Sequence, residues 1–147
     1  MKIVSACLAG INCNYKGESA PCEKVIELVK QGKAIPICPE QLGGQPTPRP
    51  GAEIKDGNGL LVLNGEARVV EPKGNDVTKI FIKSAEEVLK IAKLIKCNEA
   101  ILKQRSPSCG CGEIYDGTFS KKIIEGDGVT TALLKRNGIN VISEEDL

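Results

Sequence analysis

The chain has 147 residues, 41% hydrophobic and 27% charged, an ordinary globular composition long enough to bury one sizeable core. Its 20 basic and 19 acidic residues nearly cancel, so no net field gathers nucleic acid or a membrane surface, and no apolar run approaches a membrane span. There are seven cysteines and no histidine, which excludes every Ser–His, Cys–His and histidine-ligand site.

Residues 2–6 (KIVSA) read as a short apolar strand, and 23–31 (EKVIELVKQ) as a helix ended by Gly32. Residues 34–37 (AIPI) predict a second strand, and 42–51 (LGGQPTPRPG) a loop too rich in proline for a helix interior or a central strand. Asn64-Gly65 between the apolar runs 60–63 (LLVL) and 66–70 (EARVV) predicts a β-hairpin. Over 76–96, Val77, Ile80, Phe81, Ala85, Val88, Leu89, Ala92 and Ile95 recur at helical spacing, with Asp76 as N-cap and Asn98 as the stop. A strand at 99–103, a polar loop at 104–118, a helix at 129–136 and a last strand at 139–143 complete the chain. Strands alternating with amphipathic helices predict an α/β fold: three layers around a mainly parallel Rossmann-like sheet, with the hairpin as an insertion, in one domain over residues 1–147.

The start MKIVSACLAG carries no leader of signal length, so the protein is expected in the cytoplasm, where disulfides are disfavoured and seven thiols need another reason. Cys97, at a helix end, and Cys22 read as small buried hydrophobes. Cys7, Cys38 and Cys109 are different. They follow the first, second and third strands, among Gly, Pro and Ser, and in a parallel sheet those strand ends share one edge, where ligands bind. Converging thiolates select zinc, Cu(I) or an iron–sulfur cluster. The Cys-x2-Cys knuckles of structural zinc are missing; the close pairs are Cys7-x5-Cys13 and Cys109-x-Cys111. Three thiolates on a cubane would leave one iron open as a Lewis acid, whereas Cys13 or Cys111 as a fourth ligand would close it and favour a non-catalytic metal or sulfur carrier. Glu40, in CPE, and Ser106 and Ser108, in SPSC, bring a carboxylate and hydroxyls suited to proton transfer to the same edge. A nucleotide-binding domain with incidental thiols is disfavoured, since neither GxGxxG nor a P-loop is present.

Three stretches, SACLAGINCNYKG (5–17), PICPEQLGGQPTPRPGAE (36–53) and LKQRSPSCGCGEIYDGTF (102–119), together with GDGVTTALL (126–134), resemble the thiouracil desulfidase family in the same order over essentially the whole chain. The resemblance implies a [4Fe-4S] cluster held by Cys7, Cys38 and Cys109 alone, with the fourth iron taking the sulfur of a thiolated pyrimidine. It implies a non-redox release of hydrosulfide with Glu40 as the catalytic acid/base and Ser106, rather than Ser108, as the serine. The substrate would be a small molecule, as a free base or nucleotide; a thiolated tRNA base is the alternative, and the near-zero charge disfavours nucleic acid. Arg49 becomes a candidate contact to the pyrimidine oxygens. One departure stands out: family members commonly carry R-Y-D-G where this chain has Asn14-Tyr15-Lys16-Gly17.

Overall fold

The computed structural model describes all residues, 1–147. In chain order the elements are β1 (Lys2–Ser5), α1 (Glu23–Lys30), β2 (Ala34–Ile37), α2 (Pro39–Leu42), β3 (Glu53–Lys55), α3 (Gly59–Leu63), β4 (Arg68–Val70), α4 (Thr78–Leu94), β5 (Glu99–Leu102), β6 (Cys111–Tyr115), β7 (Ile123–Asp127), α5 (Val129–Arg136) and β8 (Asn140–Ser143), with 3-10 turns at Ala6–Ala9 and Glu144–Asp146. Four strands form a parallel sheet in the order β2-β1-β5-β8. Successive strand residues face opposite layers, as the strand period requires. Ile3, Leu102 and Val141 pack with Val88, Ala92 of α4 and Leu134 of α5. Val4 and Ile101 point the other way, onto Leu8 and Val25 of α1. These two clusters make the expected three-layer α/β arrangement. Truncating a side chain as deeply buried as Leu134 costs about 2–5 kcal/mol at such sites.

The register brings the strand ends level. Ser5 lies opposite Ile37, and Leu102 opposite Ser143. The Ser5 hydroxyl accepts from Lys103 N at 2.9 Å, which ties the end of β1 to the end of β5. The order of strands reverses direction between β1 and β5, so the crevice beyond their carboxyl ends is the switch point where ligands of open parallel sheets bind.

The hairpin expected at 60–70 is not there. LLVL lies in α3, capped by the Asn58 side chain, which accepts from Leu61 N at 3.0 Å. Asn64-Gly65 ends that helix: Gly65 takes φ +79, and Gly65 N and Glu66 N bond back to Val62 O and Leu61 O. This is the Schellman arrangement, which uses the same left-handed glycine as a tight hairpin turn. β4 pairs antiparallel with β3 instead. A second antiparallel pair, β6–β7, arises partly within the stretch expected to be a polar loop at 104–118. Both pairs cover a second core of Ile54, Val62, Val69, Phe81, Ile114 and Leu133, so α4 spans both cores, with Phe81 in one and Val88 in the other.

α4 is shorter than the predicted 76–96. Asp76 accepts from Thr78 N at 2.9 Å at its start, close to the expected cap. At its end Lys96, not Asn98, turns the chain with φ +53, and Cys97 N bonds to Ala92 O at 2.8 Å. Cys97 is the apolar residue that seals this cap, as expected of a packing thiol.

Candidate active site

Three loops leave the level strand ends and enclose one cavity of about 660 Å3, lined by Cys7, Cys38, Glu40, Ser106 and Cys109. That volume lies within the ~300–1,000 Å3 usual for small-molecule sites. Cys7 sits in the 3-10 turn directly after β1, which Gly10 closes in the left-handed region. The rest of this loop folds back, with Ala20 N on Cys7 O and Cys22 N on Leu8 O, and carries Cys13 into the same cavity. The Asn14 side chain accepts from Lys16 N and Glu18 N at 3.0 and 2.8 Å, so at the departure from R-Y-D-G an asparagine braces a turn that backbone bonds also close, Asn14 N on Glu18 O and Gly17 N on Asn14 O.

Cys38 is the extended residue before α2, and Pro39 starts the helix, so Glu40 falls in the first turn facing the cavity. Short α2 is held against α4 at Gly43, where any Cβ would collide with Ser84 Oγ. The third loop is fixed by the buried Gln104. Its Oε1 accepts from Cys111 N at 2.8 Å and its Nε2 donates to Cys111 O at 2.7 Å. Ser106 Oγ accepts from Ser108 N and Cys109 N at 3.1 and 3.0 Å, leaving its own O–H to donate into the cavity. Ser108 is fully buried against Thr130 Oγ1 at 2.7 Å and does not line the cavity.

Burial dominates the thiol chemistry. It pushes Cys7 up to about 11 and Cys13 up to about 12, and Cys109 well above an ordinary cysteine; neighbouring thiols and Glu40 add to the effect. Lys103 opposes it at Cys7, and Ser5 opposes it at Cys109. The site therefore resists carrying several bare thiolates and is suited to binding a cation that displaces their protons. No three Cys, Asp or Glu side chains gather closely enough for a single metal ion. The thiols instead stand around a space.

Cys111 turns away from the cavity and donates to Val141 O at 3.2 Å. Cys22 and Cys97 also lie outside it. The cavity holds residues that sequence spacing did not mark, Ser5, Gln104 and Phe119 among them. One signal was available. The chain has only two Tyr, two Phe and no Trp, and all four aromatics, Tyr15, Phe81, Tyr115 and Phe119, line this cavity. Phe81, expected in the core, serves both core and cavity wall. Arg49 does not offer its terminal nitrogens to a ligand; they contact Cys13 O at 3.0 Å, Thr47 Oγ1 at 3.2 Å and Glu40 Oε2 at 3.4 Å. No helix of the molecule is long and apolar enough to cross a membrane.

Residues 3–146 match the family described as 2-thiouracil desulfurase. The chain is 52% identical over 147 residues to the uncharacterized protein YbbK of Bacillus subtilis (strain 168), covering 100% of this chain and 97% of that one. Among solved structures it is similar to the [4Fe-4S]-dependent thiouracil desulfidase TudS, with a TM-score of 0.87 at 43% identity over 99% of this chain and 91% of that chain.

Proposed function

The chain belongs to the 2-thiouracil desulfurase family, and on that premise we propose that it is a [4Fe-4S]-dependent enzyme that removes sulfur from a thiolated pyrimidine. The overall change is hydrolytic: water supplies the oxygen of the new C=O, sulfur leaves as hydrosulfide, and no electron is gained or lost. The observation that carries this reading is the convergence of Cys7, Cys38 and Cys109, from three strand ends, on one cavity with Glu40 and Ser106.

The donor set fits the cluster. Three soft thiols around one cavity, with Cys7 and Cys109 made hard to ionise by burial unless a cation displaces their protons, suit a thiophilic metal centre such as an iron–sulfur cluster. We assign Cys7, Cys38 and Cys109 as its ligands. Held by these three thiolates, the cluster would supply a thiophilic iron as a Lewis acid for the substrate sulfur. The chain's own residues do the rest. Glu40 removes a proton from the attacking water. Ser106, anchored through its oxygen by two backbone amides, uses its remaining O–H to orient that water or to protonate the ring. The aromatics offer apolar faces to a flat heterocycle. A small molecule as free base or nucleotide suits an enclosed cavity on a nearly neutral chain.

Anaerobic reconstitution with iron and sulfide, followed by hydrosulfide assay on 2- and 4-thiouracil, tests the reading. A brown protein with about four irons per chain that releases hydrosulfide without added reductant is expected. A reconstituted protein that releases none would be a cluster-binding module instead.

A further inference from the structure

Arg49 is the deepest cation of the site, with its side chain only 4% exposed. Its Nη2 donates to Cys13 O at 3.0 Å and also reaches Glu40 Oε2 at 3.4 Å and Cys38 Sγ at 3.9 Å. Its Nη1 reaches Thr47 Oγ1 at 3.2 Å and Pro46 O at 3.3 Å. Two terminal nitrogens carry four N–H groups, and protein acceptors surround both, so neither is free to recognise a substrate carbonyl. The Arg49 backbone is held as well, with Arg49 N on Tyr15 O at 2.9 Å.

Glu40 sits at the other end of this arrangement. Its carboxylate has one hydrogen-bond partner in the structure, Arg49, which takes Oε2 and leaves Oε1 unpaired. Glu40 stands in the first turn of a four-residue helix, and no other hydrogen bond fixes its carboxylate. Arg49 Nη2 supplies the restraint and joins the Glu40 loop to the Cys13 carbonyl of the first loop, while Nη1, on Thr47 Oγ1 and Pro46 O, holds the guanidinium plane in place.

We infer that Arg49 is a positioning residue of the desulfuration reaction, orienting the Glu40 carboxylate toward the attacking water and clamping the Cys38 loop to the Cys13 loop, and that it is not a substrate contact. The inference rests on the function proposed above. Its consequence is that Arg49 and Glu40 act as one unit. Removing the guanidinium lowers the rate through Glu40 and leaves substrate affinity in place.

A double-mutant cycle on reconstituted protein tests it, with iron content and hydrosulfide kinetics measured for wild type, Arg49→Met, Arg49→Lys, Glu40→Gln and the Glu40→Gln/Arg49→Met double variant. Expected for Arg49→Met is a wild-type iron content, a kcat lowered about 100-fold and a KM within about threefold. Arg49→Lys, which keeps the charge and loses the fork, recovers about tenfold of that loss. In the Glu40→Gln background the same Arg49→Met change costs less than about threefold, since coupled residues are not additive. A KM raised tenfold or more at unchanged kcat would make Arg49 a substrate contact and overturn the inference, as would full additivity. If Arg49→Met loses its iron, Arg49→Lys carries the rate comparison. Crystal structures of metal-free wild type and Arg49→Met give a readout independent of turnover. The Glu40 carboxylate must leave its position while backbone 38–42 stays, and an unmoved carboxylate refutes the inference. Wild type that releases no hydrosulfide would defeat the enzymatic reading alone, because the crystallographic comparison still stands.

Discussion

The rim of the parallel sheet and the packed layers around it use the same side chain for opposite purposes. At the rim, Cys7, Cys13, Cys38 and Cys109 face one cavity. Away from it, Cys97 seals the end of α4, Cys22 packs beside α1, and Cys111 donates to a β8 carbonyl. Cys109 and Cys111 are separated by a single residue yet fall on opposite sides of this division. Gln104 fixes both backbone groups of Cys111, and Gly110 N bonds to Ser106 O at 2.8 Å between them, so the chain turns out of the loop and into β6 at that point. Topology, rather than cysteine count or local spacing, decides which thiols are available to a metal centre.

The largest expected effect breaks the rim. Cys7→Ser, Cys38→Ser and Cys109→Ser should each lose the cluster and all hydrosulfide release above background, measured by iron analysis and visible absorption. Cys22→Ala, Cys97→Ala and Cys111→Ala should keep about four irons per chain. So should Cys13→Ala, since three thiolates suffice and a fourth would close the open iron. A cluster that survives loss of any of the three rim ligands, or fails with Cys13→Ala, redraws the division.

Glu40→Gln should come next, lowering kcat about 10²–10⁴-fold at unchanged iron content, the usual span for a general base. The two serines of SPSC give a smaller and sharper contrast. Ser106→Ala should lower kcat about 10–100-fold, below the loss at Glu40. Ser108→Ala should leave the rate within about twofold and instead cost about 1–2 kcal/mol of unfolding free energy, because it orphans the buried Thr130 hydroxyl.

The smallest effect is an alkaline one, larger in metal-free protein. Burial raises Cys7 from 9.0 to about 11, so the unfolded chain gives up this proton first. Stability is therefore fully present below about pH 9 and is lost as pH rises toward 11. Denaturant titrations of metal-free protein across this window should show the decline, and cluster-loaded protein, whose Cys7 is already deprotonated on iron, should show a smaller one.

Much of this was readable from residues alone. Apolar runs at 2–6, 34–37, 99–103 and 139–143 became the four parallel strands within a residue or two, because strands buried on both faces must be continuously apolar. Placing Cys7 and Cys38 at strand ends needed only that. The antiparallel pairs were hidden for a physical reason. LLVL satisfies a strand and a buried helical turn equally, and Asn-Gly supplies the left-handed residue that both a hairpin and a Schellman cap require. β6 and β7 carry Gly112, Glu113, Glu125 and Gly126, so their alternation is broken and one face stays wet. The resemblance favoured Ser106 over Ser108, but the residues alone could not say why; the reason is that Thr130 occupies the Ser108 hydroxyl. Arg49 looked available to substrate because a sequence does not show that a guanidinium's partners are already inside the protein.

The central claim is that this cavity hydrolyses a C=S bond with no change of oxidation state. Turnover of 2-thiouracil by reconstituted protein in 18O-water, under anaerobic conditions and without reductant, tests it most directly, with uracil read by mass spectrometry and hydrosulfide counted in the same sample. One 18O per uracil and one hydrosulfide per uracil are expected. Uracil without the label, or turnover that stops unless a reductant is supplied, would contradict it.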